Sequence, residues 1–285
     1  MQPLQNVIEI LDLEEIEQNH YRATSPNEGW QRVYGGQVIG QALVAASKTV
    51  DLDRHAHSLH GYFLRGGDTS IPILYRVDRI RDGKSFTTRR VEAIQNGQAI
   101  FTMSISFQVA EEGLSHQFEM PDAPDPETLR DEDELRQEQA KNWPKEFQEN
   151  YSFSSAIQMR PVDPIDIMHP ISSAPRQLGW MKTREKLPDD PRLHQCVVAY
   201  LSDWSLLDTA TRPHAINYLQ DNVQMASLDH AMWFHRPFRA DEWLLYEQDS
   251  PSSGGARGFN RGLIYDQAGN LVASATQEGL IRIRD

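Results

Sequence analysis

The sequence lacks most of what staples, anchors or addresses a chain. It has one cysteine, Cys196, in 285 residues, so no internal disulfide is available and nothing calls for an oxidising compartment. Cys196 stands in the apolar run Cys196-Val197-Val198-Ala199-Tyr200, where a small buried packing residue is expected rather than a nucleophile. No basic stretch leads into an apolar one at the N-terminus, which reads as no signal peptide. No apolar run approaches the ~20 residues of a membrane span. The closing Ile-Arg-Ile-Arg-Asp is neither a peroxisomal nor an endoplasmic-reticulum address, and the expected location is the cytoplasm. There is no Gly-x-Ser-x-Gly elbow, Walker loop or dinucleotide fingerprint, so no cofactor is expected. His55, His57 and His60 cluster, and His230 and His235 flank Trp233, but none has the spacing of a metal site. No metal is expected.

What is present is ordinary in bulk, 39% hydrophobic and 24% charged, with enough chain for a sizeable core. The net charge of −13 argues against nucleic acid as a partner. Its distribution says more. Residues 111–149 hold thirteen Asp/Glu against Arg130, Arg136, Lys141 and Lys145, a balance of −9 out of the −13. With Pro121, Pro124 and Pro126 opening it, this stretch reads as an exposed acidic connector, its Glu127 to Gln148 portion a solvated helix. Three parts follow: a repeat over 1–110, a connector over 111–160 and a second repeat over 161–285.

The two flanks repeat each other. Tyr62-Phe63-Leu64-Arg65 matches Trp233-Phe234-His235-Arg236, and Ile73-Leu74-Tyr75 matches Leu244-Leu245-Tyr246, both at an offset of 171. Ser85-Phe86 matches Gly258-Phe259 at 173, and the Asn96–Ile100 segment matches Ala268–Val272 at 172. Slips of one or two residues are what loop insertions leave in a duplication. Each flank offers a helix apolar all round, hence buried. These are Gln37–Lys48, with Gln37 and Gln41 as an i,i+4 polar pair, and Leu193–Ala210. Period-two strands follow each helix: Leu59–Leu64, Ile73–Arg79, Phe86–Gln95 and Gln98–Val109, then Gln224–Phe234, Trp243–Ser250, Gly258–Asp266 and Asn270–Arg282. Asn96-Gly97 and Ala268-Gly269 are the closing hairpin turns. A buried helix followed by an antiparallel meander is a sheet wrapped around a helix, the α+β hotdog arrangement, here twice. Joining the two sheets edge to edge removes open edges.

Asp203 is the most unusual residue, a carboxylate between Val197-Val198-Ala199-Tyr200-Leu201-Ser202 and Trp204-Ser205-Leu206-Leu207. Either it or Ser202 caps a following helical turn, or it carries chemistry. Overlaying Tyr34 on Tyr200 sets Gln37 near Asp203, an amide in one flank and an acid in the other. Ser227 and Gln277 stand on strands of the same flank; singly each reads as a cross-strand hydrogen-bonding residue, but with Asp203 they form a set that holds one water. Gly35-Gly36 permits close approach of a ligand at a helix N-terminus. His60 is a candidate supporting residue, and the glycine-rich Ser252–Gly258 stretch, read chiefly as a mobile hairpin connection, carries Arg257, which with Arg261 is suited to phosphates.

Over nearly its full length the sequence resembles the acyl-CoA thioesterase II (thioesterase B) family. The blocks are Gly35-Gly36-Gln37-Val38-Ile39-Gly40-Gln41-Ala42, His57 to Arg65, Ser85-Phe86 with Arg89-Arg90-Val91, Ser202-Asp203, Asp229 to Pro237, Ala256-Arg257-Gly258 and Gln277-Glu278-Gly279. The resemblance implies a double hotdog that hydrolyses medium- to long-chain acyl-CoA by direct attack of water. It implies Asp203, Ser227 and Gln277 as catalytic residues, with Ser227 standing where many relatives have Thr, and a homodimer or homotetramer. Backbone amides near Gly36 are expected to hold the oxyanion. The segment 111–149 and the proline-rich run 161–175 match less well. The rival readings are an acyl-CoA hydratase or dehydratase, which wants an Asp/His pair, and a non-catalytic acyl-CoA-binding protein.

Overall fold

Alternating apolar and polar side chains impose strands on most of this chain, and the two apolar runs without alternation become the helices they wrap. A computed structural model describes residues 6–26, 32–143, 145, 148 and 155–284. Its elements in chain order are helix α1 (Val7–Leu11), strands β1 (Glu14–Glu17) and β2 (His20–Ala23), helix α2 (Gly35–Ser47), and strands β3 (Arg54–Phe63), β4 (Ile73–Asp82), β5 (Phe86–Gln95) and β6 (Gln98–Val109). Helix α3 (Glu132–Ala140) lies in the connector. Then come β7 (Ile157–Pro161), β8 (Arg176–Thr183), helix α4 (Pro191–Leu201), β9 (Val223–Ser227), β10 (Asp229–Phe234), β11 (Leu244–Gly254), β12 (Arg257–Asp266) and β13 (Leu271–Ile283).

The strands form one antiparallel sheet in the order β1-β2-β4-β5-β6-β3-β10-β13-β12-β11-β8-β7, with β9 beside β13. Read outward from its centre, the second half repeats the first: a double hotdog joined edge to edge through β3 and β10. His60 pairs with Ala231 in that junction, and Ala231 is the residue 171 positions on from His60. The pair is therefore its own repeat mate, and a pseudo-twofold axis passes through it.

The core sits between sheet and helices. Ile39, Ala42 and Leu43 of α2 and Val197, Val198 and Leu201 of α4 are fully buried, each large aliphatic contributing about 1.5–3 kcal/mol on burial. The two helices touch closely because glycines face the contact. A Cβ on Gly36 would run into the Tyr200 carbonyl oxygen, and one on Gly40 would lie 3.1 Å from the Cys196 oxygen. The Gln37–Gln41 pair forms at 3.4 Å, and Gln41 also accepts the Tyr75 hydroxyl at 2.6 Å. Cys196 is buried, and burial pushes its thiol up to about 12.

Several local expectations change. Each helix is preceded by two strands (β1, β2 and β7, β8) that the sequence did not announce. The helix expected to reach Ala210 stops at Leu201, where the Ser202 hydroxyl turns back onto the Ala199 carbonyl at 2.9 Å and Ser205 takes a left-handed φ of 57°. The strand expected over Gln224–Phe234 is interrupted at Leu228, 171 positions on from His57, where β3 carries its own irregularity between Ala56 and Ser58. Gly97 and Asn96 make the expected two-residue turn, both at positive φ. The second hairpin closes through a longer loop in which only Gly269 is left-handed. The Ser252–Gly258 stretch is mostly strand, turning on Gly255-Ala256 at φ 58° and 60°, the geometry of a tight two-residue hairpin.

The connector is not wholly solvated either. Asp131 caps α3, and Asp131 and Asp133, both buried, bind Arg184 beyond the end of β8 at 2.9 and 2.6 Å. Of the helix expected over Glu127 to Gln148, α3 covers Glu132–Ala140, and several positions after Trp143 lie outside the described residues.

Candidate active site

Asp203 follows the C-cap of α4, and its carboxylate reaches across the pseudo-twofold to the other half. Its Oδ2 accepts the Gly36 amide at 2.8 Å, at the first turn of α2. The N-cap position of α2 is Tyr34, whose side chain makes no capping bond. Asp203 therefore does cap a helix, but one 167 residues away rather than the turn that follows it. The positive end of the α2 dipole faces the carboxylate. Gly35 leaves room for it, since a Cβ there would sit 2.7 Å from Oδ2.

The other carboxylate oxygen, Oδ1, accepts Gln277 Nε2 at 2.5 Å, and the same nitrogen lies 3.1 Å from Ser227 Oγ. Ser227 and Gln277 arrive on neighbouring strands, with Ser227 of β9 paired to Gly279 of β13. The structure thus brings Asp203, Ser227 and Gln277 together. Burial pushes the Asp203 carboxyl above the ordinary aspartate range, while the Gln277 amide and the Gly36 N–H hold it down. Asp208, nearby on the 3-10 turn Leu207–Ala210, is raised to about 6 by burial and then by Asp203.

Two further residues complete the constellation. Ser202 Oγ donates to the Ala199 carbonyl, so it accepts from His230 Nε2 at 2.9 Å. That leaves His230 Nδ1 as an acceptor, 3.4 Å from Gln277 Nε2. Burial lowers His230 to about 3, consistent with this neutral tautomer. The chain Ser202–His230–Gln277–Asp203 fixes which end of the Gln277 amide meets the carboxylate. Both residues were legible as positions in the Ser202-Asp203 and Asp229–Pro237 blocks, but nothing in them announced this contact. Asn260, paired with Gln277 across β12 and β13, is fully buried, and among the described residues the side-chain oxygens of both amides have no partner.

The remaining expectations divide. Gly36 is at the site, but its amide is spent on the Asp203 carboxylate rather than left free for a substrate oxygen. His60 is exposed on the outer face of β3, edge-on to Trp233 with centroids 5.1 Å apart, and lines neither cavity near the trio. Arg257 is exposed and bound to Glu278 at 2.9 Å. Gln37 is not the counterpart of Asp203: it lies in the first turn of α2, whereas Asp203 follows the end of α4, so the Tyr34–Tyr200 overlay is overturned. Among the described residues no group of three or more His, Cys, Asp or Glu is placed to hold a metal.

Two cavities flank Tyr34. One of about 420 Å³ contains Asp203 and Ser227 and has apolar walls from Val38, Phe63, Phe101 and Leu228. The other, of about 470 Å³, lies under α3 and is lined by Tyr34, Trp204, Asp208 and Tyr246 together with residues of the 161–167 segment.

Residues 24–108 match the family model described as acyl-CoA thioesterase N-terminal domain, and residues 162–280 match the acyl-CoA thioesterase model. The chain is 42% identical to mouse acyl-coenzyme A thioesterase 8 over 98% of this chain and 89% of that protein. It is 38% identical to acyl-CoA thioesterase 2 of Haemophilus influenzae over 99% of each. The crystal structure of the acyl-CoA thioesterase II of Mycobacterium marinum superposes with a TM-score of 0.78 at 45% identity, covering 98% of this chain and 99% of that one.

Proposed function

The chain belongs to the acyl-CoA thioesterase family and hydrolyses acyl-CoA thioesters, and we propose that it does so on medium- to long-chain substrates by direct attack of a water on the thioester carbon. The observation that carries this reading is the convergence of Asp203, Ser227 and Gln277, with Asp203 and Ser227 lining an apolar-walled cavity and the buried Gln277 amide bridging them from behind. Asp203 takes a proton from the water as the water oxygen bonds to the carbonyl carbon, with the hydroxyl of Ser227 and the amide of Gln277 holding that water in line. The positive end of α2 opposes the charge that develops on the carbonyl oxygen. Collapse of the tetrahedral species breaks the C–S bond, and the departing thiolate recovers the proton. A thiolate is a much weaker base than an alkoxide or an amide anion and leaves readily, so a carboxylate is a sufficient base. The acyl chain lies along Val38, Phe63, Phe101 and Leu228.

A hydratase would need Asp203 and a histidine acting on the same carbon. His230 does come close, but its ring nitrogens face Ser202 and Gln277, and burial keeps it neutral. Thiol release from palmitoyl-CoA, run beside hydration of an enoyl-CoA, separates these outcomes. Asp203→Asn keeps an acceptor for the Gly36 amide and folds normally. Its thiol release is expected to fall by about 10³-fold, within the range of a lost general base; near-wild-type turnover would sink the assignment. A cytoplasmic location and a homodimer or homotetramer belong to the same reading. The edge strands β1 and β7 end the sheet and offer faces to a second copy; cell fractionation and light scattering check the two points.

A further inference from the structure

The cavity that holds Asp203 and Ser227 opens past two arginines, Arg32 and Arg65, and the glycines Gly66 and Gly67. Both arginines are exposed, and among the described residues neither guanidinium forms an ion pair. In a chain of net charge −13, many other arginines are spent on carboxylates, including Arg76, Arg89, Arg90, Arg184, Arg239 and Arg261.

The repeat shows what is particular to this mouth. Arg65 Nη1 donates to the Ala99 carbonyl at 2.7 Å, and its repeat mate Arg236 donates in the same way to Leu271 at 2.7 Å. In the second half the connector then takes up Arg236 Nη2 through Ser115 Oγ at 3.1 Å. In the first half no such partner exists among the described residues, so Arg65 is anchored by one nitrogen while the rest of its fork borders the cavity. Arg32 runs alongside: a Cβ on Gly66 would lie 3.4 Å from its Cδ and Nε. Two exposed cations thus border one apolar-walled cavity that also contains Asp203.

We infer that Arg32 and Arg65 bind the phosphates of the CoA nucleotide, with the pantetheine arm running inward so that the thioester meets Asp203. The assignment rests on the thioesterase reading and moves phosphate recognition away from Arg257. Guanidinium forks match phosphate oxygens in pairs, and a basic mouth on an acidic protein raises the local concentration of a polyanionic substrate. It also divides the substrate between two kinds of contact, charge for the nucleotide and apolar area for the acyl chain.

The test compares decanoyl-CoA with S-decanoyl-pantetheine, which carries the same thioester without phosphates. In Arg32→Gln/Arg65→Gln, KM for decanoyl-CoA is expected to rise about tenfold with kcat unchanged, and its salt sensitivity to fall. Turnover of the pantetheine ester should be unaltered. Arg32→Gln alone removes no hydrogen bond within the described residues, so it reports on binding even where the double variant is unstable; Arg32→Lys should restore part of the affinity. Equal losses on both substrates, or an unchanged KM for decanoyl-CoA, would overturn the assignment. Wild-type protein that released thiol from neither ester would instead remove the thioesterase reading beneath it.

Discussion

The two halves of this molecule share a fold but not a site, and the pseudo-twofold shows how the difference is made. At the 171-residue offset, Ser227 corresponds to Ala56, His230 to Leu59 and Asn260 to Arg89; at 172, Gln277 corresponds to Ile105. Asp203 follows the C-cap of α4 as Thr49 follows that of α2. In the first half this place is packed shut. Arg89, fully buried, donates to Thr49 Oγ1 at 2.9 Å, and Gln195 closes on both the amide and the carbonyl of Ala56. The helix ends differ in the same sense. Helix α4 is capped by its own Asp190, with Pro191 in the first turn, whereas α2 begins at Tyr34 without a side-chain cap. The half that cannot cap its helix receives the acid of the other, so the cluster of Asp203, Ser227 and Gln277 is built on a borrowed cap. One half supplies a helix N-terminus and the other supplies the carboxylate, hydroxyl and amide, so neither half holds the whole cluster.

This comparison can be broken by giving the proposed catalytic place the residues of its mate in the first half. The largest effect is expected from Gln277→Ile, which copies Ile105. The Asp203 carboxylate loses its 2.5 Å donor and the water one of its supports, and kcat should fall about 10²-fold or more, on the scale of a lost preorganised donor. Circular dichroism should show the fold retained; a variant with unchanged kcat would remove Gln277 from the mechanism. Ser227→Ala, which copies Ala56, should cost less, about tenfold to 10²-fold in kcat. Ser227→Thr keeps the hydroxyl and should stay near wild type, so similar losses in both would indicate packing rather than hydrogen bonding.

The smallest effect concerns stability. Asp208 is raised to about 6 from its usual 3.8, so the folded state binds its proton more tightly than the unfolded chain does. Its ionisation therefore opposes folding: the favourable contribution is complete below 3.8 and is lost as pH rises through 6. Asp208→Asn should accordingly raise the melting temperature at pH 7 by a few degrees, and the gain should shrink between pH 6 and pH 4. A gain independent of pH in thermal melts would assign the effect to something other than this carboxyl.

Much of this was legible before folding. Duplication shows in paired aromatics such as Tyr75 and Tyr246, both of which are buried and bonded to helix-derived groups, Gln41 and the Ser202 carbonyl. Asp203 was visible because a carboxylate amid valines and leucines is costly without a purpose. Four strands were not visible. Strand β1, Glu-Glu-Ile-Glu, is exposed throughout, and β2 and β7 are too short for alternation to rise above chance. Ser227 and Gln277 were anonymous as chemistry, since strands commonly carry a hydroxyl or an amide, and only the family likeness singled them out. His230 was weighed only with His235 as a metal ligand, and its actual partners were not legible because they lie 28 and 47 residues away.

By itself the sequence determined the local preferences: period-two strands, two helices with no polar face, a turn at Asn96-Gly97, and a glycine pair thin enough for two helices to touch. Those follow from short-range sterics and from which side chains water rejects. The tertiary structure alone decided which helix Asp203 would cap, which of two equivalent places would stay open, and which arginine fork would be left at the cavity mouth. Those outcomes depend on groups up to 167 residues apart meeting when the two sheets join at β3 and β10, and no local pattern encodes that encounter.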